Sequence, residues 1–192
     1  VHVGSDVSGT VNAAHLAAEL VSVPVHVVDS GTASFGVAAC LWQAALHVEQ
    51  GGDAAGAAVA AKTMAARIGT SFILQGLDFA QAGGRFTTML PDEADEVMVL
   101  AGYGTDLQLA GTSRDLDELA DLIVAPFLAD GVPVRAAVGL ADPATLPITE
   151  RIEQRLRASE LVVDLVRYRV GPSIAAHTGP GTAGGFWWPA DL

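Results

Sequence analysis

One cysteine, only ten basic residues and no uninterrupted apolar run of membrane-spanning length bound what this 192-residue chain can be. The lone Cys40 cannot close an internal disulfide, and its setting in VAACLW is that of a buried, inert thiol, which favours a reducing compartment. Ten Lys and Arg against 22 Asp and Glu give a formal net charge of −12. Such a surface repels phosphate backbones and anionic lipid, which argues against nucleic-acid and membrane-surface binding. Asp, Arg, Gly or Pro interrupts the longest apolar runs, and the N-terminus lacks a basic-then-apolar signal pattern, so a cytoplasmic protein is expected. The five histidines, His2, His15, His26, His47 and His177, show no paired metal-ligand spacing, and no metal is expected.

What is present is apolar: 51% of the residues, ample for a buried core. Short β-branched runs alternate with alanine-rich or amphipathic segments, the pattern of an α/β protein. Val1–Gly4 and Pro24–Val28 read as strands, each followed by a polar turn and a helix, over about Thr10–Leu20 and Phe35–Gln50. Val1 has no methionine before it, and the run it opens reads as a strand rather than a leader. Gly51-Gly52 ends the second helix, Asp53 caps a third reaching about Ile68, and a strand at Ser71–Leu77 precedes a short helical DFAQAGG. Beyond an acidic PDEADE loop the pattern predicts strands at Val97–Leu100 and Leu107–Ala110 and a helix from Arg114 to Ala129. A strand at Val132–Gly139, a helix from Pro147 to Ser159 and a strand at Leu161–Val170 follow. The expected organisation is a parallel-sheet first lobe over residues 1–88 and a mixed β-β-α-β-α-β second lobe over 89–192. Asp115, Asp117, Glu118 and Asp121 crowd one helix start, where the helix dipole favours acids.

Three motif matches fail on context. GPGTAG at Gly179–Gly184 satisfies G-x-G-x-x-G, but a dinucleotide fingerprint needs a helix and second strand after it, and here the sequence ends at FWWPADL. Gly4-SDVS-Gly9 resembles a phosphate-binding loop until Thr10, where lysine belongs. Ser34 has Gly36 two residues on but Thr32 two residues back, which breaks the nucleophile elbow G-x-S-x-G.

What remains are hydroxyl and glycine clusters at strand ends: Ser5, Ser8 and Thr10 in SDVSGT, then Ser30, Thr32 and Ser34 in DSGTASFG. Ligands of open parallel sheets bind beyond the carboxyl ends of strands, where helix N-termini present free N–H groups, and such turns suit an anionic head. Helix capping by Ser8 and Ser34 explains the same residues. Arg85 in GGRF is either a solvated residue after a helix end or an anion or partner contact. His177 follows IAA, read as a short strand or turn, and precedes Gly179-Pro180-Gly181, a backbone slim enough to bring an imidazole close to a ligand; a structural histidine is the alternative.

Taken in order, SDVSGT-VNAAHLAA, VVDSGTASFGVAAC, LQGLDFAQAGGRF and IAAHTGPG resemble the DegV family, the fatty-acid-binding subunits of bacterial fatty acid kinase, from Ser5 to Gly184. The resemblance implies a two-lobed α/β fold with a long-chain fatty acid in an interlobe tunnel, toward which residues 171–192 return. A separate ATP-dependent kinase, the fatty acid kinase catalytic subunit, would phosphorylate the carboxyl group to an acyl phosphate for phospholipid metabolism. The chain itself would then be a binding subunit with no catalytic residue, no cofactor and no stable membrane insertion. Ser8 is similar to the serine that binds the carboxylate and His177 to the histidine beside it. Gly9 and Thr10 complete that turn, Ser34 and Gly36 match an S-x-G pocket position, and Gly179 belongs to the histidine loop. Arg85 and Arg114, in GGR and TSR, match basic positions near a kinase-facing or lobe-contact surface. Family members carry an upstream strand-helix portion whose threonine also contacts the carboxylate, and no counterpart stands before Val1. Two alternatives follow: a small acyl hydrolase or transferase using Ser34, His177 and Asp29, and a truncated relative with an altered ligand.

Overall fold

The computed structural model describes residues 1–74, 96–179 and 181–191. The chain divides into two compact units, Val1–Ile68 and Gly69–Asp191, ahead of the boundary expected at 88/89. The short helix expected in DFAQAGG lies outside the described residues.

The first unit holds three helices, α1 (Thr10–Ala18), α2 (Phe35–Glu49) and α3 (Ala54–Ala65). Asp53 caps α3 as expected, its Oδ1 accepting the Gly56 N–H at 2.7 Å. The two expected strands do not develop a ladder; a single parallel bridge joins His2 and Asp29. The pairing is nonetheless in the expected sense: the His2 N–H donates to Val28 O at 2.9 Å, and Ser30 N–H to His2 O at 3.2 Å. Val1–Gly4 is too short for a longer ladder, and Pro24 brings no N–H to the other run. The unit's buried apolar side chains are Val11, Val28, Ala39, Cys40, Ala61, Met64 and Ile68. Burial pushes the Cys40 thiol up to about 11, which keeps it protonated and inert.

Among the described residues, the second unit is built on one six-stranded sheet in the order β3-β2-β1-β6-β4-β5. Its strands are β1 (Gly69–Leu74), β2 (Val97–Tyr103), β3 (Asp106–Ser113), β4 (Val134–Leu140), β5 (Val162–Arg169) and β6 (Ala183–Pro189). Between them run α4 (Leu116–Leu128), α5 (Leu146–Ala158) and α6 (Pro172–Thr178). From β2 to β5 the order is the expected β-β-α-β-α-β. Two further strands complete the sheet. β1, expected with the first lobe, pairs with both β2 and β6, and the last residues supply β6 between β1 and β4. Every pairing is antiparallel except that of β4 with β5.

The apolar positions of α4, Leu119, Ala120, Ile123, Val124 and Phe127, repeat at helical spacing and face the sheet together with Ile148, Ile152 and Leu156 of α5. They meet Ile73, Val99, Ala136, Val138, Ala183 and Trp187 from successive strands. Trp187 stacks near Phe127, ring centroids 4.7 Å apart, and meets Tyr103 edge-on. Alternation along the strands sends Met98, Leu100, Ala137, Phe186 and Trp188 to the other face, where they too are buried. The acidic start of α4 has specific partners besides the helix dipole. Asp115 caps it, accepting the Asp117 and Glu118 N–H groups, and Arg155 of α5 pairs with Asp117 and Asp121. Glu153 on the same helix accepts two bonds from Arg167 of β5, at 2.5 and 2.8 Å.

Both sheet edges are shielded. β3 carries a register shift opposite Val99 and Leu100, and β5 presents Asp164, Arg167 and Arg169. The Ser71 Oγ, by contrast, is fully buried on central β1 with no hydrogen-bond partner.

These two environments give opposite expectations in chemical denaturation. Ile152→Ala should cost roughly 2 to 5 kcal/mol through lost burial and a residual cavity. Ser71→Ala removes an unpaired buried hydroxyl and should change stability by less than about 1 kcal/mol or increase it. A large loss in Ser71→Ala would mean that the hydroxyl is satisfied in solution.

Candidate functional site

The sequence-derived candidates fall into two groups, one in each unit. In the first unit they occupy two turns that lead into α1 and α2. Gly4 O accepts the Val7 and Ser8 N–H groups at 3.1 and 3.0 Å, which rolls Gly4–Ser8 into a turn ahead of α1. The Ser8 hydroxyl, half-buried, donates to Thr10 Oγ1 at 3.3 Å and accepts the Thr10 N–H at 3.4 Å. Gly9 is the N-cap residue of α1, and neither it nor Ser34, the N-cap of α2, makes a side-chain capping bond. Capping therefore does not account for Ser34, and the Ser8 hydroxyl reaches only the first N–H of its helix through a long bond.

Ser34 has φ 53° and ψ −129°, the one positive φ among the described non-glycine residues. This sharp entry into α2 is sustained by Thr32 and Gly36, both buried, with Gly36 directly against the Thr32 side chain. Ser30 is structural: its buried hydroxyl donates to His2 O at 2.7 Å.

The two turns are locked together. Gly4 N–H donates to Thr32 O at 2.8 Å, and a Cβ at Gly4 would stand 2.8 Å from the Gly31 carbonyl carbon, so the approach requires glycine there. The Asp29 carboxylate accepts the Gly31 N–H at 2.9 Å and the Ser5 N–H at 3.2 Å from the other turn. Burial pushes its pKa up. The Ser5 hydroxyl and the Gly31 and Ser5 amides outweigh that effect and hold Asp29 below the ordinary aspartate range. Sequence reasoning placed Asp29 only in an alternative catalytic set. The available signal was an aspartate at a strand end with glycine two residues on, the pattern of a side chain that closes its own turn.

In the second unit, His177 is half-buried in the last turn of α6, so the residues read as a strand or turn are helical. Pro172 at the first helical position and Gly179 after the last bracket that short helix. Gly179 is buried with φ +86° and donates to Ala175 O at 2.8 Å. The loop beyond is fastened by Thr182, whose hydroxyl reaches Thr178 O at 3.0 Å and Gly179 O at 2.9 Å. Arg114 is exposed at the end of β3. The registers Val97↔Ser113, Met98↔Leu74 and Ile73↔Ala183 put it at the same end of the sheet as the histidine loop. Three strand spacings, on the order of 14 Å, separate β3 from β6, the strand that follows the histidine loop. Arg85 lies outside the described residues.

Among the described residues no cluster of three His, Cys, Asp or Glu side chains could hold a metal ion. No helix among them is long and apolar enough to cross a membrane.

Residues 1–90 match the model of the DegV family of uncharacterised proteins. A DegV domain-containing protein of Streptomyces coelicolor is 34% identical over 193 residues, covering 96% of this chain and 67% of that relative. Among solved structures, a fatty-acid-binding DegV family protein from Thermus thermophilus superposes with a TM-score of 0.88 at 27% identity, over 98% of this chain and 69% of its own. A Thermotoga maritima protein whose structure reveals a fatty acid binding function gives 0.82 at 25% identity, over 97% and 67%. The chain thus spans about two thirds of the length of each of these relatives.

Asp29→Asn should lower stability at about pH 7 in thermal or urea unfolding. A depressed carboxylate pKa contributes stability above the unfolded-state value, near pH 4, and that contribution disappears as pH falls through the native pKa. The gap between wild type and variant should therefore narrow from about pH 7 toward about pH 3. A gap that stays constant would show that the native clamp does not depend on ionised Asp29.

Proposed function

This chain belongs to the DegV family, and from that premise we propose that it binds a long-chain fatty acid and presents the carboxylate to a separate ATP-dependent kinase, the fatty acid kinase catalytic subunit. The observation that carries the binding half is the likeness, over 98% of this chain, to a solved family member described as binding fatty acid. In this reading Ser8, Gly9 and Thr10 meet the head group from the first unit and His177, with Gly179 beside it, from the second. Ser34 and Gly36 line the approach. A carboxylate needs donors: hydroxyls, helix-start N–H groups without a side-chain cap, and an imidazole are all of that kind. The tail needs apolar walls, and the interlobe tunnel implied by the resemblance provides them in this proposal.

The kinase would transfer phosphate to the carboxyl oxygen to give an acyl phosphate, the activated form for phospholipid metabolism. The chain would work as a cytoplasmic binding subunit with no catalytic residue of its own, and Arg85 and Arg114 would face the partner or the anion. One observation favours a second reading, an acyl hydrolase or transferase acting through Ser34. Its positive φ gives the sharp strand-to-helix entry that exposes a nucleophile. Against it, both Ser5 and Gly31 amides already occupy the Asp29 carboxylate that would orient a histidine.

Denaturing solvent extraction and mass spectrometry of the purified protein should recover fatty acid, with less in Ser8→Ala and His177→Ala. For oleate added to delipidated protein, loss of one hydrogen bond to a charged group should weaken binding about 10- to 100-fold. Absence of any recovered lipid, together with no oleate binding, would overturn the proposal. Labelling of Ser34 by a serine-reactive phosphonate would favour the second reading.

A further inference from the structure

The two turns of the first unit carry different kinds of residue. One presents the Ser8 hydroxyl, and the other presents no side chain to that hydroxyl in any hydrogen bond the structure records. What passes between them is backbone together with the Asp29 carboxylate and the Ser5 hydroxyl. Gly4, whose carbonyl holds the Val7 and Ser8 amides, is itself held by Thr32 O, and the next residue, Ser5, donates its N–H to Asp29. Asp29 simultaneously holds the Gly31 N–H at the root of its own turn. One carboxylate thus ties Ser5, within the Ser8 turn, to the DSGTAS turn. The parallel bridge and the Gly4 N–H to Thr32 O bond join the same two segments, and the Asp29 carboxylate adds the side-chain link that reaches Ser5, on the way to Ser8.

We infer that Asp29 is a positioning residue for fatty acid head-group recognition. By clamping Ser5 and Gly31 it sets the place and direction of the Ser8 hydroxyl, without touching the ligand itself. The inference rests on the proposed head-group role of Ser8. It also carries a sign that simple electrostatics does not share. Removing a negative charge near an anionic ligand would strengthen binding of the carboxylate through space. Removing a clamp that orients its hydrogen-bond donor weakens it.

The test compares oleate with oleyl alcohol, which has the same chain but no carboxylate, by titration of delipidated protein. The quantity read is the ratio of their affinities, in wild type, Asp29→Asn, Ser8→Ala and the double variant, with thermal unfolding measured alongside. Ser8→Ala should reduce the oleate preference about 10- to 100-fold, the worth of one hydrogen bond to a charged group. Asp29→Asn should reduce it in the same direction, and the double variant should lose no more than Ser8→Ala alone, because both act through one hydroxyl. Asp29→Glu, which keeps the charge but displaces it by one methylene, should fall between wild type and Asp29→Asn, and it decides the matter if Asp29→Asn does not fold. The inference is overturned by a raised oleate preference, by equal weakening of both ligands, or by effects of the two substitutions that multiply. If Ser8→Ala itself leaves the preference at the wild-type ratio, the head-group role of Ser8 fails, and the positioning role of Asp29 fails with it. A drop in Ser8→Ala without one in the Asp29 variants removes the positioning role alone.

Discussion

The second unit depends on β6 being hydrogen-bonded along both edges. Ala183–Pro189 comes from the last residues described, yet it lies between β1 and β4, antiparallel to both, and everything from Ala183 to Trp188 is buried. Its two faces serve two apolar layers. Trp187 packs with Phe127 among the helices, and Phe186 and Trp188 fill the other side. A strand so placed fixes whatever precedes it. Thr182, one residue before β6, ties back to Thr178 and Gly179, so the His177 loop is positioned from the middle of the sheet rather than from a free segment.

The first unit reaches comparable definition by different means. Its described residues contain no multi-rung ladder, only one bridge, a glycine-to-glycine backbone approach and a carboxylate shared between two turns. Such contacts are individually small, and their geometry is set by sterics more than by area. Both candidate groups are therefore held through backbone atoms, with the side chains that could meet a ligand carried at the end of each device.

Much of this organisation was legible from local pattern. The three helices of the first unit, the capping role of Asp53, the acidic N-terminus of α4 and the β-β-α-β-α-β run all follow from periodicity and caps. What was not legible depended on distant partners. Nothing within Gly69–Leu74 states that its neighbours are β2 and β6, partners that lie far along the chain. The run Val1–Gly4 has strand composition but too few rungs to become one, and Pro172–Thr178 is too short to show a helical period. Of the site, the hydroxyl turns and the histidine loop stood out as motifs. Asp29 did not, because the Ser5 amide it holds lies 24 residues away.

The edge strands bear on a different matter, the behaviour of the protein at high concentration. A sheet grows by adding chains to flat, uncharged borders. Here one border is kinked by a register shift in β3 and the other is studded with Asp164, Arg167 and Arg169 on β5. Among the described residues, both borders of the six-stranded sheet carry features that disfavour a seventh strand. The central, strongly apolar strands can thus be kept at the heart of the fold without making the folded molecule a seed for fibrous aggregation.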